Sequence, residues 1–142
     1  MAELVRSGGF ERIVVAVRRP PEAAWPGSVA LCLVPDMRPE PLAQAVEQAA
    51  RAWHGEVTGF SVLGVGAGTA RMTIDEHRAV DVELNAAFAR GLRASGKVRH
   101  LAFMSAIGAD ATARATGSGA AGMPRYARVK GEAEAAVTQE GP

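Results

Sequence analysis

Four short apolar runs, separated by longer segments, constrain the fold of this chain more than any other feature of its sequence. The runs are RIVVAV (12–17), VALCLV (29–34), TGFSVLG (58–64) and HLAFMS (100–105). Apolar runs that alternate with segments of helical period are typical of crossover units built around a parallel sheet. The sequence therefore predicts an α/β fold whose four strands lie in the interior, covered on both faces.

Two of the connecting segments have the period of a helix with one apolar face. The first stripe contains Leu42, Val46, Ala49, Ala50 and Trp53, and the second contains Val80, Leu84, Ala87, Phe88 and Leu92. Both are predicted to pack on the sheet, with Trp53 in the core and Gly96 ending the second helix. The segment MAELVRSGG (1–9) is predicted to be the end of a helix, and the segments 18–28 and 110–125 are predicted to be loops.

Length indicates one domain, or a piece of one, over residues 1–142, and composition indicates a packed, soluble fold. A cytoplasmic setting is expected from the cysteine content. The formal net charge is +1 and the Lys and Arg residues form no basic stripe, which argues against nucleic acid as a partner. The single cysteine, Cys32, is expected to be a small buried side chain in a reducing compartment. No segment approaches the roughly 20 apolar residues that a membrane span needs, so no membrane association is predicted. The three histidines, His54, His77 and His100, lack metal-ligand spacing, so no metal is predicted and surface or supporting roles are expected.

The segment YARVK (126–130) places a tyrosine one helical turn before a lysine. A tyrosine is a poor acid at neutral pH unless a nearby cation favours its phenolate, and Lys130 would lie on the same helix face as Tyr126. Such a pair can donate a proton to a carbonyl oxygen as hydride arrives, although the spacing alone is common by chance. Ser105, at the carboxyl end of the fourth run, is placed to share that carbonyl or to bind its own loop backbone.

Other strand ends carry candidate nucleotide ligands. Arg18 and Arg19 follow the first run and could hold a phosphate, which would favour a 2'-phosphorylated nucleotide, or could be solvated loop residues. Asp36 follows the second run and could bind an adenine amino group. The segment LGVGAG (63–68) lacks the spacing of the dinucleotide fingerprint and is interpreted as a flexible loop near a ribose.

Taken together, FERIVVAVRRP, FSVLGVGAG, VDVELNAAFARGLRASGKVRHLAFMSAIGAD and YARVKGEAEAAV resemble the short-chain dehydrogenase/reductase superfamily. The resemblance is to its atypical branch, the Tat-interacting-protein oxidoreductases and their NmrA-like relatives, and it covers nearly the whole chain. It implies a Rossmann-type fold that binds NADP(H) and an unidentified small-molecule substrate.

The resemblance also implies roles for individual residues. Tyr126 would be the proton donor and Lys130 would bind the nicotinamide ribose, with Ser105 beside them. Ser105 is followed by Ala106, where family members often carry the catalytic serine. Among the cofactor-binding residues, Arg18 and Arg19 would meet the 2'-phosphate, Asp36 would lie near the adenine, and Leu63, Gly64 and Val65 would line the adenosine ribose.

Two departures from the family pattern shape the expected function. Family members begin with a strand and a glycine-rich turn that holds the pyrophosphate, whereas this chain begins in the following helix. The absent strand would lie between runs 12–17 and 58–64, leaving a split sheet or a new pairing of these two runs, and exposed edges that favour a homo-oligomer. We therefore expect a truncated oxidoreductase with weak or no activity. The alternatives are a non-catalytic nucleotide-sensing or protein-interaction module, or a product without a function of its own.

Overall fold

The structure is a computed structural model that describes residues 2–22 and 24–142. Its elements follow in this order: α1 (Ala2–Ser7), β1 (Ile13–Val17), β2 (Val29–Leu33), α2 (Pro39–Arg51), β3 (Val57–Ser61), a 3₁₀ helix (Gly66–Arg71), α3 (Ile74–Arg78), a π-helical segment (Ala79–Leu84), α4 (Asn85–Ser95), β4 (Val98–Phe103) and α5 (Pro124–Glu140). Met1, predicted to belong to the first helix, and Ala23, predicted to belong to a loop, lie outside the residues that the structure describes.

The strands form two separate parallel sheets, and the α/β class is confirmed. β1 pairs with β2 from Ile13 opposite Val29 to Val17 opposite Leu33, without a register shift. β3 pairs with β4 in the second sheet. Across residues 2–22 and 24–142 no ladder joins β1 to β3. A split sheet, one of the two arrangements expected from the sequence, is therefore the one observed.

One hydrophobic core serves both sheets and lies between them and the helices. Its buried members are Val34, Leu42, Val46, Leu84, Leu92 and Val98. Four of these six come from the two predicted stripes, Leu42 and Val46 on α2, Leu84 at the end of the π-helical segment, and Leu92 on α4. The two helices approach closely at Gly91, where an added Cβ would overlap the backbone of Ala43. Gly96 ends α4 with a φ of 70°, and Gly8, with a φ of 62°, follows α1, so both predicted helix ends are confirmed.

The prediction that helices cover both faces of the strands is wrong. Ala16 and Cys32 pack against the core, but the alternating residues of β2 and β3 point the other way and are exposed. We define the exposed apolar face as Leu31, Leu33, Phe60, Val62 and Met104. α1 buries none of its residues, and Phe10 contacts Phe60 edge to face at 5.6 Å. The helices that do pack on the strands all share the core side, which leaves this face to solvent.

Two smaller expectations also need correction. Trp53 lies beyond the end of α2 at Arg51 and is only half-buried, because the chain turns away from the helical path before reaching it. Cys32 is likewise half-buried, although burial raises the pKa of its thiol. The helix predicted around 80–92 contains a π-helical segment, a distortion that occurs often at functional sites.

Candidate functional site

Tyr126 and Lys130 lie in the first two turns of α5, which begins at Pro124. Proline is favoured there because the first helical residue needs no amide donor. The Lys130 ammonium lies 5.8 Å from the centroid of the Tyr126 ring. Tyr126 is half-buried and the Lys130 residue is only 6% exposed. The predicted shared face is therefore observed, with the lysine in an unusually buried position.

The loop after β4 packs directly on this part of α5. The backbone amide of Asp110 donates to the carbonyl of Ala127 at 2.9 Å. Gly131 allows the close approach, since a Cβ there would overlap the backbone of Asp110 and Ala111. This loop also contains Ser105, whose buried hydroxyl has no hydrogen-bond partner among the described residues. The contacts with α5 are made by Asp110 and Ala111, which follow Ser105 in the same loop.

A second set of contacts fixes α5 against α3. Arg78 donates to the Glu132 carboxylate through Nε and Nη2, each at 2.7 Å, and Arg128 donates to the same carboxylate at 2.8 Å. Arg128 also donates to the carbonyl of Ala113 at 2.8 Å. The hydrogen bonds from Arg78 are the largest cause that lowers the pKa of Glu132, followed by the charge of Arg78 and then by the hydrogen bond from Arg128. Glu132 therefore links α3 to α5, and Arg128 links α5 to the loop after β4.

The buried partner of Lys130 is Asp81, a residue that the sequence reasoning missed. Asp81 Oδ2 lies 2.7 Å from Lys130 Nζ, and Oδ1 accepts a hydrogen bond from the Val65 amide at 2.9 Å. Asp81 is 2% exposed. Gly64 lies against the same carboxylate. A Cβ added to Gly64 would lie 3.3 Å from Oδ2, which is a tight contact. The loop predicted to line a ribose is thus fastened to the lysine through one aspartate.

His77 completes the arrangement. Of the two positions expected for it, the surface is wrong, because the residue is 0% exposed. Its Nε2 lies 3.5 Å from Asp81 Oδ2, but neither ring nitrogen has an aligned hydrogen-bond partner in the described chain. The imidazole lies 5.8 Å from the Tyr126 ring, at an interplanar angle of 30°. Burial lowers the pKa of His77, and the neighbouring Asp81 only partly opposes this effect. We call His77, Asp81, Tyr126 and Lys130 the Tyr126 cluster.

Asn85 fastens the same helical segment to the end of β3. Its amide donates to the carbonyls of Asp81 at 2.8 Å and Leu63 at 3.2 Å. Its oxygen accepts a hydrogen bond from the Ser61 hydroxyl at 2.5 Å. These buried polar groups satisfy one another, so the segment that carries Asp81 has a fixed position.

The residues predicted to bind the phosphate and the adenine lie in exposed loops and take no part in the contacts described above. Arg18 and Arg19 are exposed and form no ion pair within residues 2–22 and 24–142. Asp36 pairs with Arg38, and the hydrogen bond from that guanidinium is the main cause that lowers the pKa of Asp36. Asp36 also lines a shallow surface depression with Leu33, Pro41 and Gln44 among other residues.

The missed residues share one spacing that could have identified them. His77, Asp81 and Asn85 recur every four residues, which places them along one helix face. Polar side chains at this spacing ordinarily face solvent, so the pattern alone does not reveal that this face is buried. In the structure α5 covers it.

No protein-family model matches the chain, and neither does any curated protein in the search. The described residues contain no group of three or more His, Cys, Asp or Glu side chains arranged to hold a metal ion. Of the helices in residues 2–22 and 24–142, none combines the length and the apolar character needed to cross a membrane.

Proposed function

We propose that this chain belongs to an NADP(H)-dependent oxidoreductase of the short-chain dehydrogenase type that interconverts a carbonyl and a hydroxyl group. The observation that carries the proposal is the buried Lys130 ammonium, 5.8 Å from the Tyr126 ring on the same face of α5. Burying an ammonium is costly, so its retention beside a half-buried phenol favours a functional role over a chance spacing. On this proposal the four strands are the second to fifth of a Rossmann-type sheet.

The residues of the Tyr126 cluster suit the proton transfer of such a reaction. NADPH would supply hydride to the carbonyl carbon, and Tyr126 would donate its phenolic proton to the carbonyl oxygen, giving the alcohol. An ammonium has three donors, and Lys130 uses one on Asp81. The other two remain for ribose hydroxyls, and the positive charge favours the phenolate that is left behind.

The proposed cofactor preference rests on Arg18 and Arg19. Both side chains are exposed directly after β1, and two guanidinium groups suit the charge and geometry of a 2'-phosphate. We expect NADPH to raise the midpoint of thermal unfolding more than NADH does. A ligand at 100 times its dissociation constant adds about 2.7 kcal/mol to the free energy of unfolding.

Matched variants make this experiment specific. In Arg18→Ala/Arg19→Ala, NADPH should raise the midpoint no more than NADH does, because the groups that distinguish the 2'-phosphate are gone. Arg99→Ala is the control, since Arg99 is exposed on β4 and should leave the preference unchanged. An unfolding midpoint that responds to neither nucleotide would contradict the proposal. If binding is found, carbonyl reduction should be lost in Tyr126→Phe.

A second candidate function is a module that binds a protein partner without catalysis. The exposed apolar face favours it, because several large apolar side chains left exposed on a folded domain can mark an interaction site. The buried Lys130 and Asp81 pair is not explained by this alternative. A protein that unfolds cooperatively but binds neither nucleotide would favour the interaction module.

A further inference from the structure

One carboxylate oxygen in the Tyr126 cluster faces two groups that can carry positive charge. Asp81 Oδ2 is 2.7 Å from the Lys130 ammonium and 3.5 Å from His77 Nε2. His77 is fully buried and has no aligned partner at either nitrogen. A buried imidazole without partners is unusual and calls for a physical explanation.

The charge of His77 decides how Asp81 is shared. With neutral His77, the carboxylate and the ammonium balance each other. A proton on His77 would add a second cation at the same oxygen. The positive charges of Lys130 and Arg125, both on α5, disfavour that proton and so lower the pKa of His77. One carboxylate cannot fully compensate two buried cations, so one of them has to move.

Lys130 is the group that is able to move. Its ammonium ends a flexible four-carbon stem and retains slight exposure, whereas the His77 ring is enclosed and lies against Tyr126. Protonated His77 would gain a direct hydrogen bond to Asp81. The displaced ammonium would then leave the position from which it faces the Tyr126 ring.

We propose that Asp81 is the positioning residue of Lys130, and that protonation of His77 transfers Asp81 from Lys130 to His77. This proposal rests on the proposed function for its consequence, since Lys130 would hold the nucleotide only while His77 is neutral. The exchange itself involves groups of this chain alone and is measurable without any ligand.

The composition of the chain makes the measurement simple. Lys130 and Lys97 are the two lysines, so the side-chain ammonium region of an NMR spectrum contains two resonances. Lys97 contacts the carbonyls of Arg51 and Trp53 and serves as the internal control. Lys97→Arg assigns the signals, and the His77 ring is followed in the same pH titration.

We expect the Lys130 resonance to shift toward that of a solvated lysine at the same midpoint as the His77 ring, with Lys97 unchanged. In His77→Phe, which keeps an aromatic ring against Tyr126, the Lys130 shift should be lost. A Lys130 signal that stays fixed while His77 titrates would overturn the proposal. The proposal would also be overturned if His77 stays neutral until the wild-type chain unfolds. This second outcome can be seen in the wild type without any variant.

A second measurement separates this proposal from the proposed function. If both hold, the NADPH-induced rise in unfolding midpoint should disappear in the wild type below the His77 midpoint but persist in His77→Phe. If NADPH raises the unfolding midpoint of the wild type equally above and below the pH at which His77 titrates, the positioning role is overturned. Absence of nucleotide binding at every pH, together with coupled His77 and Lys130 signals, would refute the oxidoreductase and leave the exchange intact.

Discussion

At the scale of single residues, His77 predicts how the stability of the fold depends on pH. Burial lowers the pKa of His77 below the value of 6.5 that an unperturbed histidine has, so the unfolded chain binds a proton more readily than the folded one. The contribution of His77 to stability is therefore complete above pH 6.5 and is lost as the pH falls toward its folded pKa. We expect the free energy of unfolding, measured with urea, to decrease in this window.

Matched histidine variants test this assignment. His77→Phe should flatten the decrease below pH 6.5, because the phenyl ring cannot bind a proton in either state. His54→Gln changes an exposed ring and should retain the decrease. An unchanged slope in His77→Phe would show that another group causes the pH dependence.

Single residues also show where sequence reasoning stops. Tyr126 and Lys130 could be identified because their spacing has a known chemical meaning, and the structure places them together. Asp81 and His77 could not, because a polar residue on a helix is exposed unless another element covers it. That element, α5, starts more than 40 residues later in the chain. The residues around Asp81 and His77 therefore do not indicate that a helix distant in the sequence buries these side chains.

At the scale of elements, the position of α5 depends on Glu132. The carboxylate is 20% exposed in its side chain and binds both Arg78 and Arg128. We expect Glu132→Gln to reduce the free energy of unfolding by about 1–2 kcal/mol, since charged hydrogen bonds contribute more than neutral ones. The matched control is Glu134→Gln, an exposed acid on the same helix. Equal losses in the two variants, measured by urea unfolding, would contradict the role of Glu132.

The contact between α5 and the loop after β4 gives another prediction. Gly131→Ala would place a methyl group in the backbone of Asp110 and Ala111, so we expect a loss of roughly 1–3 kcal/mol in stability. The loop should also separate from the helix, raising amide hydrogen exchange at Asp110. Gly27→Ala is the control, because no atom lies within 4 Å of its added Cβ. Unchanged exchange at Asp110 in Gly131→Ala would disprove the close packing.

Helices were predicted better than strands for a physical reason. The spacing of apolar residues in an amphipathic helix indicates which face is buried. Leu42 and Val46 on α2, Leu84 in the π-helical segment and Leu92 on α4 can therefore be identified from spacing alone. The sequence of an apolar strand indicates only that the strand can be buried, not which of its faces is covered. Whether Leu33 or Phe60 is covered depends on which helices reach that side of the sheet, and here none does.

At the scale of the whole molecule, the exposed apolar face predicts self-association. Five large apolar residues share it, and the net charge of +1 provides little repulsion between copies. We expect the sedimentation coefficient to rise with protein concentration at neutral pH. Leu33→Ser/Val62→Ser should abolish this rise, because it replaces one exposed residue at the end of β2 and one directly after β3, and neither belongs to the core.

The control for this prediction must remove apolar surface elsewhere. Ile107 is fully exposed in the loop after β4 and is not part of the exposed apolar face. Ile107→Ser should therefore leave the concentration dependence as it is in the wild type. If both variants reduce association equally, general surface hydrophobicity rather than this face drives it. If the wild type sediments as a monomer at every concentration, the face does not bring copies of this chain together, and a different partner becomes the better explanation for its exposure.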